Sequence, residues 1–135
     1  MIKKIHHVAI AVKNLDEAVK LYERLFDIKA GKIEVAPEQG VKFAIIPMGN
    51  NTEIELLEPL GDNSPISKFL EKNPDGGIHH VCYEVPDIRA ARDTLKAQGA
   101  RLLGDGEPKI GAHGKPVLFL HPKDFCGTLV ELEQA

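Results

Sequence analysis

Ile5-His6-His7-Val8-Ala9-Ile10-Ala11-Val12 and Ile78-His79-His80-Val81-Cys82-Tyr83-Glu84-Val85 are two copies of one histidine-bearing strand. Leu15 and Ala18 after the first copy answer Ile88 and Ala91 after the second at the same offset, so the duplication runs on past the strand. The chain reads as two similar halves. Neighbouring side chains of a strand point to opposite faces, so adjacent histidines have different destinations. In the first copy one face carries His6, Val8, Ile10 and Val12, a largely β-branched row suited to packing under a helix. The other carries His7 beside Ala9 and Ala11, whose small side chains leave room for a cavity. In the second copy His79, Val81, Tyr83 and Val85 form the core-like face and His80 lies with Cys82. The duplication thus equates His80 with His7.

Outward from the first strand, Asn14 is placed to cap a helix with Glu17 as its box partner, and Leu15, Ala18, Val19, Tyr22, Leu25 and Phe26 make its buried stripe before Gly31. Three strands are expected at 32–36, 41–47 and 52–58, separated by Pro37-Glu38-Gln39-Gly40 and Met48-Gly49-Asn50-Asn51. Ser64-Pro65 opens a short helix that buries Ile66, Phe69 and Leu70, and Asn73-Pro74-Asp75-Gly76-Gly77 closes the link between the halves. The second half repeats the plan. A strand over 78–85 is followed by a helix over 88–98, capped by Asp87 and stopped by Gly99, and by strands near 101–103, 116–121 and 127–132. Between the last groups lies the glycine-rich stretch Gly104 to Gly114, and loops of that length inside a compact domain are usually functional or mobile. The expected fold class is α+β, two tandem βαβββ modules in a single domain over 1–135. Module one is set at about 1–61, the linker helix at about 62–76 and module two at about 77–135.

With 135 residues, 43% of them hydrophobic, the chain can bury one substantial core. Its 17 basic and 20 acidic residues give a net charge of -3, which leaves no electrostatic footprint for nucleic acid or an anionic membrane. No apolar run reaches the roughly 20 residues of a membrane helix, and Met1-Ile2-Lys3-Lys4 leads into the first strand, so a cytoplasmic protein is expected. Cys82 and Cys126 lie far apart with no C-x-x-C spacing, and both are expected to be small buried hydrophobes.

The last strand of each half supplies an acid. Ile54-Glu55-Leu56 and Val130-Glu131-Leu132 are equivalent tripeptides in which the acid points away from its apolar neighbours. A single buried His–Glu pair would most simply be a hydrogen-bonded core pair. Two pairs at matched positions point instead to a metal site of two imidazoles and two carboxylates, His7, Glu55, His80 and Glu131, octahedral with two positions open for water or substrate oxygens. His6 and His79 are then structural, His121 is packing or outer-shell, and Glu53, Glu58 and Glu133 are solvated charges.

His7-Val8-Ala9-Ile10-Ala11-Val12-Lys13-Asn14-Leu15, the duplicated βαβββ plan and the paired His…Glu set resemble the vicinal-oxygen-chelate superfamily across the whole chain. In that superfamily the two modules form a cupped, metal-binding mixed sheet, the glyoxalase-like fold. Glu38-Gln39-Gly40-Val41, Leu57-Glu58-Pro59-Leu60, Gly77-Ile78-His79-His80 and Phe119-Leu120-His121-Pro122-Lys123 narrow the resemblance to its epimerases of CoA thioesters. The resemblance implies metal ligands at His7, Glu55, His80 and Glu131 and one divalent ion per chain, cobalt first, with manganese, nickel, magnesium and zinc as alternatives. It also implies a small-molecule CoA thioester as substrate and a homodimer. Some members carry Gln where this chain has Glu55. Some place an acid, proposed as a base, where this chain has Phe43, which cannot exchange a proton.

The reaction so implied inverts the acidic carbon between a thioester carbonyl and a carboxylate through an enolate. Inversion needs a proton taken from one face and returned on the other. Glu131 is the first candidate for one role and Glu55, its pseudo-symmetric counterpart, for the other, with His113 and Lys115 as further candidates. Two rival readings use the same fold: a glyoxalase I-type lyase, and a non-catalytic binding protein of the antibiotic-sequestering kind, which generally lacks the full ligand set.

Overall fold

The computed structural model describes residues 1–135. In chain order the elements are β1 (Lys4–Ala11), α1 (Leu15–Phe26), β2 (Glu34–Ala36), β3 (Val41–Pro47), β4 (Glu53–Pro59), α2 (Pro65–Lys72), β5 (Gly77–Val85), α3 (Ile88–Ala97), β6 (Lys109–Ile110), β7 (Pro116–Leu120) and β8 (Val130–Gln134). The βαβββ plan is therefore present twice, with α2 between the copies. By internal contacts the chain forms two compact units, His7–His79 and Met1–His6 with His80–Ala135.

In the unit His7–His79 the strands are ordered β2-β3-β4-β1. β1 and β4 are parallel and the other pairs antiparallel. Two faces follow from the alternation. Leu15, Ala44, Ile46 and Leu56 are fully buried on one of them and gather Ile10, Val12, Ala18, Val19 and Tyr22 around them, which is α1 packed on the β-branched side of β1. The opposite face carries Ala9, Ala11, Val41, Phe43 and Leu57, covered by Ile66, Phe69 and Leu70 of α2.

Helix α1 starts at Leu15 because its first N–H groups find acceptors. The Asn14 side chain accepts from Glu17 N at 3.1 Å, and Glu58 Oε1 accepts from Leu15 N at 2.9 Å. Module two repeats the device. Asp87 accepts from Ala90 N at 3.1 Å, and Gln134 Oε1, in the position answering Glu58, accepts from Ile88 N at 2.9 Å. The expected stripe on α1 is too long. Leu25 and Phe26 are 60% and 64% exposed, since the helix stops at Asp27 in the left-handed region and its last turn has only partial cover. Glu58 is not a solvated charge either, being tied to both Leu15 N and the Lys42 ammonium at 3.3 Å.

Gly76 sits at φ +83°, and a Cβ there would lie 2.5 Å from the carbonyl oxygen of Ala11. Strain and a backbone clash coincide, so Gly76→Ala is expected to destabilise the fold by about 2 kcal/mol or more, read as a fall in thermal midpoint.

In the second unit the order is β5-β8-β7-β6, with β5 and β8 parallel. Val85, Ile88, Ala91, Leu118, Leu120, Val130 and Leu132 form its core. The structure departs from expectation at four points. The strand near 101–103 is a single bridge, Leu102 to Leu120, because Gly104 and Gly106, both at positive φ, turn the chain away. Part of the expected loop is the strand β6, paired with Pro116 and Val117. The last strand begins at Val130, not near 127, since Cys126 and Gly127 adopt left-handed conformations at φ 59° and 83°. Cys126 is exposed on that turn, contrary to the expectation that both cysteines are buried, whereas Cys82 is fully enclosed.

Arg101 and Asp124 brace this turn through a forked pair at 2.8 and 3.0 Å and an Arg101 N to Asp124 contact at 2.9 Å. These hydrogen bonds from the Arg101 side chain and backbone lower the Asp124 carboxyl to about 2. With the folded value below the unfolded one, the contribution is present above about pH 3.9 and is lost as pH falls through the folded value. In an NMR titration Asp124 should titrate near 2, and Arg101→Ala should return it toward the ordinary range.

Candidate functional site

In the unit His7–His79, His7 is 1% and Glu55 5% exposed, with Nε2 and Oε2 3.9 Å apart. Register explains the meeting. His7 lies opposite Glu53 and Ala9 opposite Glu55 in the parallel β1–β4 pair, so His7, Ala9, Ala11, Glu53 and Glu55 share one face. Ala9 and Ala11, fully buried, continue this face into the apolar cluster under α2. Glu53 is half-buried beside His7. Phe43 is 5% exposed on the same face opposite Leu57, within the apolar cluster, and supplies packing and no proton.

In the second unit His80 is 6% and Glu131 7% exposed, and Nε2 to Oε1 is 3.1 Å. Glu131 is held opposite Cys82 on β5 and Phe119 on β7. The Phe119 ring meets the His80 ring edge-on at 5.6 Å and limits its rotation. Each module thus buries an imidazole nitrogen against a carboxylate oxygen at the strand positions the duplication equates. Buried ionised carboxylates need a cation or strong donors. A neutral imidazole with a carboxylate oxygen is also a donor set that divalent transition ions accept.

The other histidines have different uses. His79 stacks edge-on with Phe69 at 5.3 Å, a structural role as expected. His121 is a cap, its Nδ1 accepting from Lys123 N at 3.1 Å. Lys115 is exposed. His6 donates into a cluster that the sequence reading did not find. Its Nε2 is 3.0 Å from Glu133 Oε2, while His113 Nδ1 is 3.2 Å from Glu133 Oε1. Glu133, expected to be solvated, is 1% exposed. Burial would raise its carboxyl, but hydrogen bonds from His113 and His6 and their charges prevail and hold it far below the usual range. The available signal was spacing, for Glu133 is two residues beyond Glu131 and so on the same strand face.

Comparison with known proteins shows the family of the chain. The family profile described as glyoxalase/bleomycin resistance protein/dioxygenase superfamily matches residues 6–119. The chain is 62% identical, over 99% of both sequences, to a Cereibacter sphaeroides protein named ethylmalonyl-CoA/methylmalonyl-CoA epimerase. It is 51% identical to the Homo sapiens mitochondrial methylmalonyl-CoA epimerase, covering 98% of this chain and 74% of that one. Among solved structures, a Streptomyces coelicolor methylmalonyl-CoA epimerase variant in complex with 2-nitronate-propionyl-CoA superposes with a TM-score of 0.90 at 34% identity. That match covers 100% of this chain and 99% of that one.

Proposed function

Because the chain belongs to the glyoxalase/bleomycin resistance protein/dioxygenase superfamily, we propose that it interconverts (R)- and (S)-methylmalonyl-CoA. It is an isomerase acting on a CoA thioester. Ethylmalonyl-CoA is included in the substrate range, since the 62% identical relative carries both names. The observation that carries the site assignment is the repetition of one buried His–Glu pair in each module, at matched strand positions.

On this reading His7, Glu55, His80 and Glu131 would hold one divalent ion, and the nitrogen and oxygen donors present suit it. When bound, such an ion supplies electrostatic stabilisation of charge as it develops on the thioester and carboxylate oxygens. The rest is done by the chain. Glu131 exchanges the α-proton on one face of the carbon. The other face has two candidates, Glu55 by pseudo-symmetry and His113 by its place in the Glu133 cluster, while Phe43 excludes any scheme that needs an acid at its position. The reading takes cobalt as the ion and a homodimer as the assembly, both supported by the family resemblance. It takes the cytoplasm as the location; no helix is long and apolar enough to cross a membrane.

Incubation with methylmalonyl-CoA in deuterated water tests the reaction. Inversion with deuterium entering at the α-carbon is expected. Absence of both, or turnover of the hemithioacetal of methylglyoxal and glutathione in their place, would overturn the assignment.

A further inference from the structure

His113 lies at the tip of the hairpin joining β6 and β7, where Gly111 N donates to Lys115 O at 2.9 Å and Gly114 N to Gly111 O at 3.0 Å. The tip is tightly set, since a Cβ on Gly111 would lie 2.9 Å from a Val117 methyl group. From there the imidazole meets Glu133, which pairs with Val117 of β7 and lies on the same side of β8 as Glu131, the partner of Phe119. Both Glu133 oxygens are engaged, Oε1 by His113 Nδ1 and Oε2 by His6 Nε2, and the two imidazoles meet edge-on at 5.3 Å. A carboxylate held by two partners in this way has one orientation, and it fixes the imidazole it accepts from.

We propose that His113 is the second proton carrier of the epimerisation and that Glu133 is the residue that positions it; the proposal rests on the function assigned above. With Nδ1–H directed to Glu133, the Nε2 lone pair is the basic site. Nε2 takes the α-proton as the C–H bond breaks, and the bond pair moves into the enolate of the thioester. A protonated Glu131 then forms the new C–H bond on the opposite face, and in the reverse direction the two exchange roles. No other reactant is needed. Two groups that act on opposite faces of one carbon, each at about 3 Å, stand about 6 Å apart. Residues i and i+2 on one strand face, as Glu131 and Glu133 are, have Cα atoms separated by about 7 Å, so a side chain clamped on Glu133 is at the required spacing from Glu131. Glu55 is then left to ligation.

The test is deuterium exchange against inversion, measured separately from each epimer. His113→Asn keeps an N–H for Glu133 but has no base. It is expected to lose inversion by about 10² or more while still exchanging the α-proton of the one epimer that Glu131 serves, at close to the wild-type rate. Glu133→Gln should show the same one-sided pattern, weaker in degree. Exchange and inversion falling in step in either variant, or neither changing in His113→Asn, would overturn the proposal. A wild-type protein that neither inverts nor exchanges methylmalonyl-CoA would instead refute the function on which it rests.

Discussion

On the proposed reading, His80→Ala is expected to lower turnover of methylmalonyl-CoA by about 10² to 10³, because it removes a ligand of the ion that would stabilise the enolate. The imidazole is 6% exposed, touching Glu131 at 3.1 Å and the Phe119 ring at 5.6 Å. Truncation opens a small space and takes a partner from the Glu131 carboxylate, while His80 is not one of the residues of the Val85, Ile88, Leu118 and Leu132 core. Thermal midpoint should fall as well, since a buried carboxylate loses its partner, and the larger loss, in kcat, is read per folded molecule. His7→Ala, at the duplicated position, should fall by a similar factor. Steady-state kinetics with each epimer decides it, and normal turnover in either variant would remove that residue from the site.

Leu56→Ala should have the opposite profile. Leu56 is fully buried between Ala44 on β3 and Ile10 on β1, in the cluster that seats Leu15 of α1. Removing its side chain from a packed site costs about 3 to 4 kcal/mol, as lost transfer energy and a residual cavity. A domain of this size would lose roughly 10 °C in thermal midpoint. Yet the neighbouring Glu55 points to the other face, so turnover per folded molecule should be retained. Adjacent residues with separate effects, one on stability and one on chemistry, are what strand alternation requires. Equal loss of activity at both positions would show that the two faces are not independent.

The same alternation made much of the fold and both buried His–Glu pairs legible in the sequence. The strand Ile5–Val12 with its copy Ile78–Val85 carried enough pattern to separate His7 and His80 from His6 and His79, and the tripeptides around Glu55 and Glu131 supplied the partners. Capping at Asn14, Ser64 and Asp87 is local chemistry and was readable for that reason. What was missed depends on where strands begin and end. Cys126 and Gly127 take left-handed conformations, delay β8 to Val130 and carry it on to Gln134, so Glu133 falls inside the strand and under cover. An expected end at 132 left it outside, as a solvated charge. The short β6 was hidden by the glycines on both sides of it, and only its pairing with Pro116 and Val117 defines it. Leu25 and Phe26 have the helical spacing of the α1 stripe, but periodicity does not report where the covering sheet stops. The contact between His6 and Glu133 joins distant parts of the sequence and has no local signature.

The central claim is that the two His–Glu pairs, one from each module, serve a single ion. It is tested most directly by dialysing the protein against chelator, titrating it with cobalt(II) and counting equivalents for the wild type, His7→Ala and His80→Ala. One equivalent per chain in the wild type, lost in both variants, is the predicted result. Two equivalents, of which each variant loses one, would mean two separate sites, and no stoichiometric binding would mean none; either contradicts the account.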